Sequence, residues 1–317
     1  MISTLQTAGI HHITAFVKDP QQTTDFYAGV LGLRLVKKTI NFDAPEVYHL
    51  YFGDEQGSPG TIITFFPWAE GRKGRVGTGQ VGITGYAVPA GALPFWENRL
   101  TKFQIPFEVT ERFGEKQLLF KDPDGLKIEL VERNMRNDHV WEFGGVTTNE
   151  AILGFSGAVL YSHDPAKTVE TLEQVLGLNK VGQSNGFTRL HAAGDRGNVI
   201  DVSEQQAAVG AGGSGTVHHI AWRAKDMEEH QRWREHVAGH GFQPTPIVDR
   251  QYFNAIYFRE YGGILFEIAT DPPGFAKDEA PEHLGEKLML PDWYEPQRAA
   301  IEQLLLPFEV RELKEDQ

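Results

Sequence analysis

Apolar and polar positions alternate along this chain in short runs that recur in a fixed order. Residues 10–17 alternate as a strand, and Pro20 opens a helical stretch that reaches Leu31 and is stopped by Gly32. Strand-like runs follow at 34–39, 47–52 and 61–66, so the first unit reads as one strand, one helix and three strands. A Gly-rich, basic stretch at 71–79 separates it from a second unit that begins near Val81, with a helix over 92–103 and a last strand over 125–131. The third unit starts at 154–160, carries a helix over 165–176 stopped by Gly177, and ends on 199–202. Residues 207–215 are nearly all Gly, Ala and Ser and read as a flexible linker. The fourth unit opens on Val217-His218-His219, runs a helix over 227–238, turns at Gly241-Phe242 and closes on an apolar strand around Glu267.

Four copies of one βαβββ module predict an α+β fold, with modules one and two in an N-terminal half (6–145) and modules three and four in a C-terminal half (146–317). The remainder, 271–317, begins Asp-Pro-Pro-Gly and reads as a wrapping tail with a short amphipathic helix over 297–305.

Charge and composition narrow the function. The net charge of -13 and the pI near 5.4 argue against a nucleic-acid footprint, which needs clustered Lys and Arg. No run approaches the roughly 20 apolar residues of a membrane helix, and the N-terminus lacks the pattern of a secretory leader, so the expected location is cytoplasmic. With no cysteine, disulfides, thiolate zinc sites and a cysteine nucleophile are excluded. His, Asp and Glu are left as the strong metal ligands, which points to a hard or borderline divalent ion.

The candidate chemistry lies in two nearly identical phrases, Ile10-His11-His12-Ile13-Thr14 and Val217-His218-His219-Ile220-Ala221, each closing on an aspartate, Asp19 or Asp226, seven residues past its second histidine. A lone strand histidine is ordinarily structural. Recurrence at one place in two modules favours ligation. Strand parity puts His11 with Ile13, Ala15 and Val17 on an apolar face and His12 with Thr14 on a more polar one, so the second histidine of each pair is the expected ligand. At the last-strand position the modules carry Thr64, Glu129, Asp201 and Glu267. Pairing in chain order would give each half only one histidine. Pairing one with four instead brings His12, His219 and Glu267 together with Thr64 in the fourth corner, a two-histidine, one-carboxylate site suited to non-haem Fe(II). Glu129 and Asp201 then become structural or solvent-facing.

These features resemble the vicinal oxygen chelate superfamily, and within it the dioxygenases that cleave hydroquinones and chlorohydroquinones. The resemblance is carried by 33–42 (LRLVKKTINF), 48–54 (YHLYFGD), 59–66 (PGTIITFF) and 265–275 (LFEIATDPPGF). It implies two half-open barrels with modules paired one with four and two with three. It also implies Fe(II), replaceable by Mn, Zn or Ni, held by His12, His219 and Glu267, and surrounding groups His11, Thr14, His218, Arg250 and Tyr257. The implied reaction opens a hydroquinone-type ring with O2, taking a small aromatic substrate, with His11, His218 and Tyr257 as proton carriers and Arg250 holding negative charge. A homo-oligomer stays open. Competing readings are a glyoxalase-type isomerase, which would place a carboxylate where Thr64 stands, a fosfomycin-type transferase, and a non-enzymatic aromatic-binding protein.

Overall fold

The computed structural model describes residues 5–205 and 207–316. Module one comprises β1 (Ile10–Val17), α1 (Pro20–Thr24), β2 (Arg34–Asn41), β3 (Ala44–Gly53) and β4 (Ile62–Pro67). Module two comprises β5 (Gln80–Val88), α2 (Leu93–Lys102), β6 (Phe107–Arg112), β7 (Glu115–Lys121) and β8 (Lys127–Glu132). In module three, β9 (Gly154–Tyr161) and α3 (Pro165–Gln174) precede β10 (Asn179–Ser184), β11 (Phe187–His191) and β12 (Val199–Ser203). Module four has β13 (Thr216–Ala224), α4 (Met227–Gly239), β14 (Val248–Asp249), β15 (Asn254–Arg259) and β16 (Leu265–Thr270), and the tail adds α5 (Arg298–Leu304).

The aspartate that closes each repeated phrase starts the helix behind it. Asp19 Oδ1 accepts the Gln22 backbone N–H at 2.7 Å, and Asp226 Oδ1 accepts that of Glu229 at 2.9 Å. Asp164 does the same for module three. Each cap satisfies a helix-end donor and contributes about 1 kcal/mol. The helix of module one departs from the regular form that its pattern suggests. After Thr24 it widens into a π turn over Asp25–Val30, and the buried Arg99 of α2 donates to the carbonyls of Gly29 (2.8 Å) and Val30 (2.6 Å). The wider turn presents these carbonyls to the neighbouring module, and Arg99 satisfies them.

Two eight-stranded sheets result, and each is drawn from both halves of the chain. The first has the order β14-β15-β16-β13-β1-β4-β3-β2, the second β10-β11-β12-β9-β5-β8-β7-β6. Modules one and four therefore share one half-open barrel and modules two and three the other, the pairing that the histidine positions predict. The seam of the first is the antiparallel pair β1/β13, with Ile13 opposite Ile220 and Thr14 opposite His219. The seam of the second is β5/β9, with Gly85 opposite Gly157. A single apolar core runs through all four modules, from Ile13 and Tyr27 to Trp96, Leu160, Trp222 and Trp233.

The 207–215 stretch is not the flexible linker that its composition suggests. It lies along the 71–79 stretch, with Ala211 and Arg75 exchanging backbone hydrogen bonds (2.8 and 2.9 Å) and Gly210 donating to Thr78 (3.0 Å). Glycine is needed there for close approach: a Cβ on Gly77 would stand 2.1 Å from the Ala208 carbonyl oxygen, and one on Gly213 2.4 Å from that of Arg72. The tail wraps as expected. Lys37, fully buried in β2, reaches Asp278 and Glu279 at 2.6 and 2.5 Å, and Leu290, Ile301 and Leu305 pack on Ile40. No helix among the described residues is long and apolar enough to cross a membrane.

Candidate metal centre

Three strands of the first barrel bring His12 (β1), His219 (β13) and Glu267 (β16) to one point. His12 Nε2 lies 3.2 Å from His219 Nε2 and 3.4 Å from Glu267 Oε2, and His219 Nε2 lies 2.8 Å from the same oxygen. Donors about 2.1 Å from one ion stand about 3.0 Å apart at right angles and about 3.4 Å apart in a tetrahedron, so these spacings fit one face of a first-row metal's coordination shell. The carboxylate supplies the second test. Glu267 is fully buried, its Oε1 has no partner among the described residues, and its Oε2 faces the two imidazole nitrogens. A buried carboxylate in that state is costly unless a cation meets it. Burial alone would raise its pKa, but the two imidazoles beside it hold it well below the usual range. It is therefore an anion ready for a divalent ion.

The doubling of each histidine now has a physical reason. His12 Nδ1 lies 2.9 Å from His11 Nδ1, and His219 Nδ1 lies 2.8 Å from His218 Nδ1. If Nε2 of the second histidine faces the ion, its Nδ1 carries the proton and donates it to the first histidine, which must then be neutral and protonated on Nε2. Burial and the neighbouring imidazole lower the pKa of both His11 and His218, the latter to about 3. Each doublet can thus offer a metal-facing nitrogen together with the group that would fix its tautomer.

The structure places the remaining candidates unequally. His218, Arg250 and Tyr257 line a cavity of about 340 Å³ that opens onto His12, His219 and Glu267, with Phe16, Phe42, Phe66, Trp68 and Phe253 among its walls. His11 and Thr14 are buried behind that wall, and neither lines the cavity. His11 stands against His12, its Nδ1 facing that of the neighbouring ring. Thr14 Oγ1 is 2.8 Å from Thr64 Oγ1, so the fourth corner holds a hydroxyl pair. Arg250 Nε donates to the Tyr257 hydroxyl at 3.1 Å, and its Nη1 reaches Asp43 at 2.9 Å. Burial would lower the Arg250 pKa, but Tyr257 and Asp43 outweigh it and hold the charge. Burial, with Glu267 nearby, raises the pKa of Tyr257 and keeps its phenol protonated.

Sequence reasoning missed His49 and Tyr51, which also line the cavity. His49 Nε2 is 2.8 Å from Thr64 Oγ1, and its Nδ1 is 2.8 Å from the Tyr51 hydroxyl, extending the hydroxyl pair into a chain from Thr14 to Tyr51. The signal was present. Residues 49 and 51 alternate onto one face of β3, and Tyr51 lies opposite Thr64 in the register.

In the second barrel the same four corners carry Ile83, Glu129, Gly157 and Asp201. Arg112 of β6 meets Glu129 (2.5 Å) and Asp201 (2.6 Å), and Arg189 of β11 meets Asp201 (2.7 Å). Glu129 and Asp201 are buried, so of the two roles left open for them the structural one holds.

Comparison with known proteins agrees with this geometry. The model of the glyoxalase/bleomycin resistance protein/dioxygenase superfamily matches residues 9–130 and 154–275, one stretch in each half of the chain. MhqO of Bacillus subtilis, named provisionally as a ring-cleaving dioxygenase, is 61% identical over 308 residues, covering 97% of this chain and 99% of its own. A chlorohydroquinone/hydroquinone 1,2-dioxygenase of Sphingobium indicum is 36% identical over 88% of this chain and 90% of its own. A crystal structure of a provisionally named Bacillus subtilis dioxygenase superposes with a TM-score of 0.96 at 60% identity, covering 98% of this chain and all of that one. Glyoxalase I from Zea mays shares the fold, with a TM-score of 0.60 at 15% identity over 83% of this chain and 92% of that one. With its two matched halves, its paired modules and its His-His-Glu corner, the chain belongs to the glyoxalase/bleomycin resistance protein/dioxygenase superfamily.

Proposed function

We propose that the chain is a non-haem Fe(II)-dependent dioxygenase that opens a hydroquinone-type ring with O2. The observation that carries this reading is the buried His12, His219 and Glu267 face at the floor of an aromatic-walled cavity. Three protein ligands leave coordination positions free, and the names of the relatives point to ring cleavage. Fe(II), when bound there, supplies acidification of the substrate hydroxyl and the electron path to O2.

The protein's own groups supply the rest. Phe16, Phe66, Trp68 and Phe253 form a slot for a flat ring and keep water from it. His218, whose Nδ1 faces His219, presents its Nε2–H to the cavity as a donor for an oxygen atom of the substrate. Tyr257, accepting from Arg250, keeps its own O–H free to donate, and Arg250 holds negative charge that develops there. His49, which burial keeps neutral, lines the cavity with both ring nitrogens engaged, Nε2 with Thr64 and Nδ1 with Tyr51, so its ring is held fixed beside the slot. A carboxylate at the Thr64 corner would have favoured the isomerase reading. The hydroxyl pair there does not.

Anaerobic reconstitution with Fe(II) followed by O2 uptake tests the proposal. The expected result is about one iron per chain and faster uptake with hydroquinone than with catechol. A tenfold preference for catechol, about 1.4 kcal/mol in transition-state terms, would move the chain to catechol cleavage. No uptake with any phenol would overturn the reading.

A further inference from the structure

The mouth of the cavity carries an ion pair, Arg250 with Asp43, of which the proposed chemistry uses only the arginine. Arg250 is the only arginine or lysine among the described residues that line the cavity, and it is already engaged, with Tyr257 on one side and Asp43 on the other. Asp43 sits at the tip of the β2–β3 hairpin of module one, whereas Arg250 comes from module four, so the pair spans the opening between two modules. The tip is held in place. Asp43 donates its backbone N–H to Asn41 Oδ1 at 3.0 Å, the neighbouring Phe42 packs on Trp293 of the tail, and the Phe42 carbonyl accepts the Tyr294 hydroxyl at 3.0 Å. The Asp43 side chain is 74% exposed, and among the described residues Arg250 is the charged group it meets.

We propose that Asp43 is a specificity residue: by occupying the cavity's one strong cation, it reserves the site for uncharged dihydroxyarenes and rejects those bearing a carboxylate. This rests on the reading of the cavity as a quinol site. A substrate carboxylate entering the slot would need a cationic partner, and it would find Arg250 bound to a carboxylate fixed within the same protein. It would also stand beside Asp43, like charge against like. Both effects act against the charged competitor and neither touches a neutral ring, which is how a site discriminates by repulsion as well as by fit. Phe16, Phe42, Phe66, Trp68 and Phe253 give alkyl or halogen substituents apolar surface to meet, and a carboxylate gains nothing from those walls.

The experiment compares methylhydroquinone with 2,5-dihydroxybenzoate by kcat/KM for O2 uptake in the Fe(II)-loaded enzyme. The natural chain should prefer methylhydroquinone by at least a hundredfold. Asp43→Asn should narrow that ratio tenfold or more, chiefly by lowering KM for the benzoate, and Asp43→Asn combined with Arg250→Met should restore it. Glu46→Gln is the control, since it removes the same charge from an exposed site on the same hairpin. An equal change in Glu46→Gln, an unchanged ratio in Asp43→Asn, or a natural preference for the benzoate would each overturn the proposal. Calorimetric titration of both compounds into the Zn(II)-loaded protein separates the two readings. If O2 uptake fails throughout but Asp43→Asn still tightens benzoate binding tenfold, the dioxygenase reading falls and the role of Asp43 stands. If neither readout moves, the role of Asp43 falls.

Discussion

The two half-barrels are built on one plan and solve the same electrostatic problem in different ways. Each seals its centre with last-strand residues that face inward, Thr64 and Glu267 in one, Glu129 and Asp201 in the other. In the second barrel two buried carboxylates are neutralised by two guanidinium groups from the barrel's own strands, Arg112 and Arg189. In the first, one buried carboxylate faces the imidazoles of His12 and His219, and no arginine among the described residues reaches it. The second centre is complete as folded. The first is left one cation short, and the missing charge is what makes it a site. Register shows how local the difference is. Arg189 lies opposite Asp201 where Tyr257 lies opposite Glu267, so a single position on the third strand carries a fixed charge in one barrel and a neutral hydroxyl in the other. Guanidinium cannot release its proton, so Arg189 closes its centre permanently, whereas Tyr257 leaves a coordination face open.

The comparison breaks most sharply if the two carboxylates are exchanged for neutral residues in turn. Glu267→Gln should abolish O2 uptake and lower bound metal from about one ion per chain to under a tenth, measured by elemental analysis, with little loss of stability in the metal-free protein. Glu129→Gln should leave the metal content unchanged. Equal metal loss in both variants would erase the distinction between the centres.

The converse test is on stability. Arg112→Met leaves Glu129 and Asp201 buried with one guanidinium between them, and removing one partner from such a network costs about 3–5 kcal/mol. Urea denaturation should show that loss while the iron content of the surviving folded protein stays near one per chain.

How much of this difference could be read from sequence depended on whether it was written locally. The modules, their pairing and the candidate triad follow from patterns of period two and from a phrase that occurs twice, signals contained within eight or ten residues. The second barrel's arginines were not legible. Arg112 sits 17 positions from Glu129 and 89 from Asp201, and nothing in a run of alternating polar residues marks it as the buried one. Arg250 and Asp43, 207 positions apart, and Lys37 with Asp278, 241 apart, escape for the same reason. The 207–215 stretch misled in another way. Glycine permits both freedom and close approach, and composition does not say which; only the backbone of 71–79 lying against it does.

A smaller effect sharpens the contrast at the ligands themselves. The arginines and carboxylates at the second barrel's centre have no tautomer to hold, whereas His12 faces His11 and His219 faces His218. His11→Leu should weaken metal binding about 10- to 100-fold, as loss of an orienting partner typically does, and leave the fold intact because leucine fills the same buried place. Competition with a chromogenic chelator measures this directly. An unchanged affinity would mean that packing alone orients the ligand.

The smallest effect concerns the contact between the barrels. Asp122, in the turn before β8, accepts the backbone N–H groups of Gly125 and Leu126 at 2.8 Å each and the Tyr27 hydroxyl at 3.1 Å, joining module two to module one. Burial pushes its carboxyl up from about 3.8 to about 7, against the opposing pull of those backbone donors. A carboxyl raised in the folded state holds its proton more tightly there than in the unfolded chain. Its contribution is therefore fully present below about pH 3.8 and is lost as pH rises towards 7. Asp122→Asn keeps an acceptor for the two backbone groups and places an N–H, in place of the acid proton, against the Tyr27 hydroxyl. Relative to the natural chain it should therefore gain stability as pH rises from 5 to 7, by about 2 kcal/mol. Denaturation midpoints of both proteins at the two pH values give the difference with the contributions of all other groups cancelled. A difference that does not change with pH would show that Asp122 is ionised in the folded protein, with the contact between the barrels held by charge accepted from its donors instead of by a shared proton.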